Sequence, residues 1–378
     1  MSQAAPKPHL VIMAAGTGGH IMPGLAVADE MQRRGWSVSW LGTQKGMENR
    51  LVPPTGIPLD TIAFSGLRGK SLVETAFGGV RLLKAFAECF QILKRRQADA
   101  VLGMGGYVCF PGGMMSAARG LPLVMVNADA ALLLSNRALL PITDVLACGF
   151  DGPAAQHSKV ARVTGNPVRA EIEAIAPPQA RYAGRSGPLR VLVVGGSLGA
   201  KAINDVLPQA LARIPASARP LITHQTGMAN LEAVKADYVK AGLDPERDAE
   251  VLPFITDMAQ RLADCDVILC RAGAITVSEL CAAGVAGILV PLVVSTTAHQ
   301  RDNAVYMHTN GASLHLPQSE LSAESLARQI QSLDRAALLA MAIKARGLAR
   351  PQAAAAVADA IEAQIRKPIT KKKASSAP

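Results

Sequence analysis

Three glycine-rich segments of this sequence each follow a short apolar run and precede an amphipathic stretch, which suits the binding of phosphate. They comprise residues 16–20, 103–107 and 195–199. A glycine turn between a strand and a helix exposes main-chain N–H groups at the positive end of the helix dipole. One such turn is a weak signal, because tight packing needs the same residues. Three in one chain favour a phosphate-bearing ligand.

A fourth polar segment, residues 271–279, follows the apolar run 266–269 and contains a turn at Gly273. Glu279 would lie in the first or second turn of the next helix, where its carboxylate could accept hydrogen bonds from the hydroxyls of a ribose. The helix dipole also favours a glutamate near any helix N-terminus, so both interpretations stand. Another polar group, residues 299–303, opens the helix that follows the next strand.

Other ligand classes fit less well. A dinucleotide site needs G-x-G-x-x-G and an acid at the end of the second strand, and the ends at 41–43 and 222–225 carry none. The Gly-Lys-Ser at 69–71 resembles a P-loop, but Phe64 replaces the first glycine. The D-x-D at 264–266 precedes its strand, whereas parallel sheets present ligands at the carboxyl ends. We expect neither a bound metal nor a cofactor.

The elements that must position these residues alternate between strand and helix along the chain. Strands are predicted in the first half at residues 10–15, 37–41, 99–102, 123–126 and 145–148, and a helix at 22–34. After a boundary at 172–188, rich in Ala, Pro and Arg, the pattern restarts. Strands are predicted there at residues 190–194, 220–223, 250–252, 266–269 and 287–290.

Repeated strand–turn–helix units predict an α/β protein with two Rossmann-like domains, whose parallel sheets face a cleft. The expected domains are residues 1–170 and 171–350. A terminal helix at 351–366 would pack back on the first domain, and a basic tail at 367–378 would end the chain.

Composition limits the class of protein. Of 378 residues, 49% are hydrophobic and 18% are charged, as in a globular chain. Six scattered cysteines without a C-x-x-C pair indicate buried free thiols in a reducing compartment. No apolar run is long enough for a membrane span or a signal core. Residues 1–168 carry 16 Lys and Arg against 10 Asp and Glu, so this half should meet an anionic surface; no nucleic acid partner is expected.

Six segments together resemble one family of bacterial cell-wall enzymes, the N-acetylglucosaminyltransferases that act on undecaprenyl-diphosphoryl-muramoyl-pentapeptide. They comprise residues 16–26, 65–70, 103–107, 165–169, 195–200 and 273–279, beginning with Gly-Thr-Gly-Gly-His-Ile-Met-Pro-Gly-Leu-Ala. Their order and spacing match the family over nearly the whole chain. The resemblance implies the glycosyltransferase B fold, inversion at the anomeric carbon, UDP-N-acetylglucosamine as donor and the lipid-linked muramoyl-pentapeptide as acceptor.

The resemblance also assigns residues to the site. In the second domain Ser197 would hold the diphosphate, Ile255 the uracil and Glu279 the ribose. The nucleotide would be lined by Ala274, Ile275, Thr276, Val277 and Ser278, and Gln300 would lie near the sugar hydroxyls. The groups that would close over the donor and acceptor phosphates are Arg169, Thr17, Gly18 and Gly19. The acceptor diphosphate would lie against Gly105, Gly106 and Tyr107.

One segment departs from the family, because residues 126–129 read Val-Asn-Ala-Asp where a His-Glu-Gln-Asn run is usual. Asp129 takes the place of an asparagine that contacts the sugar, although Asn127 lies nearby. The donor-sugar contact at this segment is therefore left unassigned.

The reaction implied is a direct displacement, in which a muramoyl hydroxyl attacks the anomeric carbon as UDP leaves. N–H groups at 197–199 and 274–276, with Arg169, would stabilise the departing diphosphate. His20, at a helix start facing the cleft, is the candidate base, because histidine exchanges protons near neutral pH. A capping or acceptor-positioning role for His20 is the alternative.

Residues 67–96 combine an apolar stripe at helical spacing with flanking Lys and Arg, as an interfacial helix on anionic lipid would. The stripe comprises Leu72, Val73, Ala76, Phe77, Val80, Leu83, Phe86, Phe90 and Leu93. Packing of this helix on its own sheet is the alternative. We expect a peripheral protein on the cytoplasmic face of the inner membrane, with other cell-wall synthesis proteins as further partners. The rival functions are a UDP-sugar 2-epimerase, another UDP-sugar transferase, or a non-catalytic UDP-sugar-binding scaffold.

Overall fold

The chain forms two compact units, each built on a parallel sheet. The computed structural model describes residues 7–64, 72–196, 199–292 and 298–365. The first unit contains the residues up to Ala128, Leu132–Pro167 and the segment from Gln352 onward. The second contains Val168–Pro351 together with Asp129–Ala131, so Arg169 belongs to it.

The first unit has seven parallel strands in its described part, in the order β3-β2-β1-β4-β5-β6-β7. The strands are β1 (His9–Ala14), β2 (Ser37–Thr43), β3 (Leu59–Ile62), β4 (Ala100–Gly105), β5 (Leu123–Asn127), β6 (Val145–Cys148) and β7 (Ala161–Val163). The helices are α1 (Gly18–Arg33), α2 (Glu48–Leu51), α3 (Leu72–Arg95), α4 (Cys109–Ala118), α5 (Leu134–Leu139) and α6 (Pro153–Gln156). Short 3-10 turns lie at Pro53–Thr55 and Leu140–Ile142.

The second unit has six parallel strands among its described residues, in the order β10-β9-β8-β11-β12-β13. The strands are β8 (Arg190–Val194), β9 (Leu221–Gln225), β10 (Glu250–Leu252), β11 (Val267–Cys270), β12 (Ala286–Leu289) and β13 (Ser313–His315). The helices are α7 (Ala170–Glu173), α8 (Pro178–Tyr182), α9 (Lys201–Ala212), α10 (Leu231–Lys240), α11 (Met258–Asp264), α12 (Ala274–Ala283), α13 (His299–Thr309), α14 (Ala323–Gln331) and α15 (Arg335–Gly347). Turns of 3-10 type lie at Ala216–Ala218 and Met228–Asn230.

Both faces of the first sheet are covered, as its continuous apolar strands require. Alternation along β1 sends Leu10 and Ile12 into one buried cluster and Val11 and Met13 into the other. The last helix, α16 (Ala353–Ile365), belongs to the first unit and adds side chains such as Ile361 to the cluster of Leu10. The polar face of α16 forms hydrogen bonds with residues of the same unit.

That attachment of α16 rests on charged hydrogen bonds to the end of α1. Arg34 donates to Asp359 at 2.6 Å and to Glu362 at 3.2 Å. The indole N–H of Trp36 also donates to Glu362, at 3.2 Å. A helix from the C-terminal end of the sequence therefore completes the first unit.

The prediction of two α/β parallel-sheet units is confirmed, and the details differ where a strand lies at a sheet edge. β3, β7 and β13 were not predicted, because an edge strand needs no continuous apolar run and each has partly exposed residues. α1 begins at Gly18, four residues before the predicted start. The predicted boundary at 172–188 overlaps the end of α7 and contains α8. Arg181 in this segment donates to the main-chain carbonyls of Leu262 and Ala283.

All six cysteines are buried and free, as predicted. Burial raises the pKa of Cys109, Cys265 and Cys281 to about 12, so these thiols stay protonated. In the described part of the chain, no helix has the length and apolar character needed to cross a bilayer.

Candidate functional site

Four loops that contain glycines lie at the points where the strand order of a sheet reverses. In the first sheet this point lies between β1 and β4, and in the second between β8 and β11. In open parallel sheets, ligands bind beyond the carboxyl ends of strands at such switch points. At the carboxyl ends of these four strands lie the three glycine-rich segments and the polar segment 271–279 that the sequence singled out. The topology therefore explains why each unit has a pair of them.

The second unit has a small cavity of about 210 Å³ at its switch point, here called the smaller cavity. Its lining includes Arg169, Gly196, Phe254, Ile255, Thr276 and Glu279. Ile255 is buried and forms an apolar wall, whereas Phe254 is half exposed at the rim. An apolar wall beside polar groups suits a flat heterocycle that is joined to a group with hydroxyls. Phe254 was missed, although it precedes Ile255 in the sequence.

Arg169 and Glu279 form an ion pair against this cavity. The Arg169 Nε donates to Glu279 Oε1 at 2.9 Å. Burial raises the pKa of Glu279 above its ordinary value, and the hydrogen bond and charge of Arg169 oppose that rise. Because an ionised carboxylate has about four lone-pair sites, Glu279 can accept from further hydroxyls while it stays paired.

A second, more open cavity of about 710 Å³ adjoins the first, here called the larger cavity. Gly196 and Thr276 line both cavities, so the two are continuous at these residues. The larger cavity is also lined by Gly199, Lys201, Arg271, Gln300 and Gln318. The Gln300 Oε1 accepts from the Leu292 N–H at 2.9 Å, which leaves the amide NH₂ of Gln300 to donate. Together the cavities can hold an elongated polar ligand.

The turn between β8 and α9 requires glycine for packing. Gly199 has φ +76°, and a Cβ there would lie 2.1 Å from the Thr226 carbonyl oxygen. A Cβ on Gly195 would lie 2.3 Å from the Ala200 nitrogen. The turn therefore approaches its neighbours too closely for side chains, and it brings the N-terminus of α9 to the larger cavity. Ser197 lies outside the described residues.

The helix α12 begins directly after β11, and the extended Gly273 is its N-cap. The N–H groups of Ala274, Ile275 and Thr276 have no intrahelical partner at this position. Thr276 lines both cavities. Val277 is fully buried, and the Ser278 hydroxyl donates to the Ala274 carbonyl at 2.9 Å. Main-chain groups, rather than the side chains of Val277 and Ser278, can thus contact a ligand here.

In the first unit the structure brings His20 next to the loop after β4. A Cβ on Gly105 would lie 2.6 Å from His20 Cδ2, and one on Gly106 would lie 2.5 Å from the Ala15 carbonyl oxygen. His20 Nδ1 is 3.2 Å from that same carbonyl oxygen. Since a carbonyl only accepts, Nδ1 carries the proton and the Nε2 of neutral His20 has a free lone pair. Tyr107 is 55% exposed beside this loop.

The first glycine turn is braced by a carboxylate that the sequence analysis missed. Glu48 is fully buried, and its Oε2 accepts from the Gly16 N–H at 3.0 Å. Its Oε1 accepts from the main-chain N–H and the hydroxyl of Thr43, at 2.8 and 2.7 Å. Gly42 and Gly46 leave room for this side chain, since a Cβ on either would meet it. A glutamate that closely follows two glycines was the available signal.

Gly18 and Gly19 form the first turn of α1, and Thr17 is its extended N-cap without a side-chain cap. The main-chain N–H groups of Gly18 and Gly19 therefore have no partner within the helix, whereas that of His20 donates to the Thr17 carbonyl at 3.1 Å. The predicted phosphate-binding turn is shorter than expected and consists of Gly16, with φ +98°, and Thr17.

The segment that departs from the family is engaged internally. Asn127 is fully buried, and its Oδ1 accepts from the Leu133 N–H at 3.0 Å and from Asn136 at 3.1 Å. Asp129 belongs to the second unit and accepts from Asn303 Nδ2 at 2.8 Å. Asn127 thus stabilises its own loop, and this structural role accounts for an amide side chain at that position even if no ligand contacts it.

No metal site is found in the part of the chain that the structure describes. In the D-x-D segment, Asp266 is fully buried at the start of β11 and pairs with Arg185 at 2.8 Å and Arg335 at 3.2 Å. It also accepts from the Arg190 N–H at 2.9 Å. These bonds agree with the interpretation of this segment as the junction between a helix and a strand.

Helix α3 has both buried and exposed apolar residues in its described half. Leu93 is fully buried in the core and Phe86 packs against Phe110, so these two residues favour the alternative in which the helix packs on its own sheet. Leu83 and Phe90 are exposed, at 69% and 39%. Arg95 and Arg96 are paired with Asp60, which reduces their net charge. The segment 65–71 and the side chains of Leu72, Val73, Ala76, Phe77 and Val80 lie outside the described residues.

Comparison with known proteins gives consistent matches. The glycosyltransferase family 28 N-terminal domain matches residues 10–145, and the family 28 C-terminal domain matches residues 190–363. The UDP-N-acetylglucosamine–N-acetylmuramyl-(pentapeptide) pyrophosphoryl-undecaprenol N-acetylglucosamine transferase of Methylibium petroleiphilum is 66% identical, over 95% of this chain and 98% of its own. Its namesake in Chromobacterium violaceum is 62% identical, over 93% and 96%. The crystal structure of Acinetobacter baumannii MurG has a TM-score of 0.81 at 37% identity, covering 95% of this chain and 100% of that one.

Proposed function

The chain belongs to glycosyltransferase family 28, and from this membership and its site we infer that it makes lipid II from lipid I. It transfers N-acetylglucosamine from UDP-N-acetylglucosamine to undecaprenyl-diphosphoryl-N-acetylmuramoyl-pentapeptide. The observation that carries the donor assignment is the pair of continuous cavities at the switch point of the second sheet. The acceptor assignment rests on the named relatives, which match almost the whole chain.

The donor fits the two cavities in sequence. The uracil lies against Ile255 in the smaller cavity, and the ribose hydroxyls donate to Glu279. The diphosphate lies at Gly196 and Thr276, where both cavities meet the N-terminus of α12. The N-acetylglucosamine then extends into the larger cavity, where the Gln300 NH₂ donates to its hydroxyls. This order places the flat base against the apolar wall and the hydroxyl-rich sugar in the more open cavity.

The acceptor hydroxyl loses its proton as it attacks the anomeric carbon, and His20 is the group proposed to take it. Its Nε2 has the free lone pair that a base needs, because Nδ1 is bound to the Ala15 carbonyl. The bond from the anomeric carbon to the UDP oxygen breaks as the new glycosidic bond forms, so the configuration inverts. Gly105, Gly106 and Tyr107, next to His20, are proposed to hold the acceptor diphosphate.

The departing UDP gains negative charge, which needs donors positioned in advance. Main-chain N–H groups at the start of α12 provide them, aided by the positive end of the helix dipole. Arg169 lines the same cavity as Gly196 and Thr276, and we propose that it contributes after it turns from Glu279. No step in this scheme requires a metal ion.

The lipid-linked acceptor implies work at a membrane surface, and α3 supplies the candidate contact. Leu83 and Phe90 are exposed apolar residues there, and Met114 on α4 is 37% exposed. Lys84, whose side chain is 68% exposed, lies 3.7 Å from Glu88, and Arg119 lies over the Phe90 ring. Apolar groups beside cations suit the surface of anionic lipid. We therefore propose that the protein works on the cytoplasmic face of the inner membrane.

Flotation with vesicles tests the membrane contact. Leu83→Gln combined with Phe90→Gln should reduce binding to vesicles containing anionic lipid, and added salt should reduce wild-type binding. Leu221→Gln, which changes an exposed leucine in the second unit, is the matched control and should bind as the wild type does. Equal binding of all three proteins would contradict the assignment of α3.

The function is tested by transfer of labelled sugar from UDP-N-acetylglucosamine to a short-chain lipid-linked muramoyl-pentapeptide, with and without EDTA. Labelled disaccharide-lipid should form in both conditions. If the sugar were instead converted to a UDP-linked epimer without acceptor, the protein would be a 2-epimerase. Binding of UDP without either product would identify a non-catalytic binder.

A further inference from the structure

The larger cavity contains a cation that has no carboxylate partner among the described residues. Arg271 follows β11 directly, and its guanidinium is half-buried at the carboxyl end of the sheet. One of its nitrogens donates to the Val290 carbonyl at 3.1 Å and to Gln318 Oε1 at 2.8 Å. Both acceptors are neutral, and Arg271 forms no ion pair with any residue that the structure describes.

The other cations around the two cavities are compensated. Lys201 lines the larger cavity but contacts both carboxylate oxygens of Asp205, at 2.8 and 2.9 Å, and its side chain is 86% exposed. Arg169 at the smaller cavity is held by Glu279 at 2.9 Å. A partly buried cation without an anion is costly unless a ligand supplies the negative charge. Burial lowers the pKa of Arg271, in agreement with an environment that lacks a carboxylate.

The position of Arg271 fits one part of the donor. Gly196, Gly199 and Thr276, which bring main-chain N–H groups to the switch point, line the same cavity. A guanidinium fork pairs well with phosphate oxygens, and it still has free N–H groups after the bonds to Val290 and Gln318. The neutral Gln318 fixes the guanidinium without cancelling its charge.

We propose that Arg271 binds the diphosphate of the UDP-sugar directly and stabilises it as it departs, and that Gln318 is a positioning residue for Arg271. This inference rests on the proposed function, because it assumes a nucleoside diphosphate donor. It assigns to Arg271 the main cationic role at the diphosphate, which the sequence analysis gave to Arg169. The charge of Arg271 acts on the ground state and more strongly on the departing UDP, whose negative charge increases as the glycosidic bond breaks.

Titration calorimetry with uridine and UDP distinguishes direct binding of the diphosphate by Arg271 from a general effect of the substitution on folding. The wild type should bind UDP more tightly than uridine. Arg271→Gln should weaken the binding of UDP about 10- to 100-fold, the range for hydrogen bonds to a charged group, and should leave the binding of uridine unchanged. Gln318→Glu keeps the shape of the side chain but gives Arg271 a carboxylate partner. This substitution should also weaken the binding of UDP and leave the binding of uridine unchanged.

Arg213→Gln, on the exposed C-cap of α9, is the control and should alter neither affinity. In the transfer assay Arg271→Gln should lower kcat as well as raise KM, whereas a purely structural defect would weaken uridine and UDP alike. Unchanged UDP affinity in Arg271→Gln, or equal losses of uridine and UDP, would overturn the role of Arg271. If Gln318→Glu bound UDP as the wild type does, the positioning role would be wrong. Wild-type protein that did not prefer UDP to uridine would overturn the proposed donor site itself.

Discussion

The two strand-to-helix turns that open the sheets have the same topology but opposite electrostatic surroundings. The turn after β1 has its own buried anion, since Glu48 accepts from the Gly16 N–H. The turn after β8 lines a cavity with Arg271, a cation without a carboxylate partner in the described chain. A glycine turn therefore does not by itself identify a phosphate site. The charge placed beside it decides which ligand it suits.

The contrast assigns different chemistry to the two units. A carboxylate beneath the first turn weakens its attraction for phosphate, and His20 beside it offers a lone pair to a hydroxyl proton. The second turn and Arg271 offer positive charge to a diphosphate. We therefore propose that proton removal belongs to the first unit and charge stabilisation to the second.

The largest effect is expected at His20. His20→Ala should lower kcat for transfer about 10²- to 10⁴-fold, the usual contribution of a positioned general base, because the attacking hydroxyl would keep its proton. UDP affinity should stay at the wild-type level, since His20 belongs to the other unit. Steady-state kinetics and calorimetry check both statements. A loss of only about 10-fold in kcat would leave His20 a positioning role.

Two glycines in the turn after β8 test how firmly packing fixes the shape of that turn, through their effect on the free energy of unfolding. Gly196 and Gly199 have φ values of +82° and +76°, so alanine at either costs about 1–2 kcal/mol of backbone strain. Only at Gly199 would the new Cβ also meet main-chain atoms, which adds about 1–3 kcal/mol. Denaturant unfolding should therefore show Gly199→Ala as clearly less stable than Gly196→Ala. Equal losses would mean that the turn relaxes and that its shape is not fixed by packing.

The ribose contact should depend on pH through Glu279. Uridine hydroxyls donate to the ionised carboxylate, so affinity is present above the pKa of Glu279 and falls as the pH drops through it. Because burial raises that pKa, the loss should begin at a higher pH than for an exposed glutamate. Glu279→Gln should weaken uridine about 10-fold at neutral pH and remove this pH dependence. Glu171→Gln, 61% exposed and 3.8 Å from Arg169, is the control and should keep both affinity and profile.

The sequence was sufficient for the buried parts of the fold and for the loops at the switch points. Central strands such as β1 and β11 are continuous apolar runs, and the glycine turns after them have a recognisable composition. Edge strands such as β3 were missed because their residues are partly exposed. Glu48 was missed because its role depends on contacts with Gly16 and Thr43, which lie on other elements. Likewise, only the three-dimensional contacts distinguish Arg271 from the ion-paired Arg169.

Substitution of Glu48 tests whether the buried anion belongs to the first turn alone. Glu48→Gln keeps the size of the side chain but replaces one acceptor oxygen with an NH₂ group, which faces N–H donors from Gly16 or Thr43. An unsatisfied buried donor of this kind costs about 1–3 kcal/mol, so the free energy of unfolding should fall by that amount. UDP affinity should change less than 2-fold, because Glu48 lies in the first unit, whereas KM for the acceptor should change. If UDP affinity instead changed as much as acceptor KM did, the first turn would take part in donor binding and the division of chemistry between the two turns would be wrong.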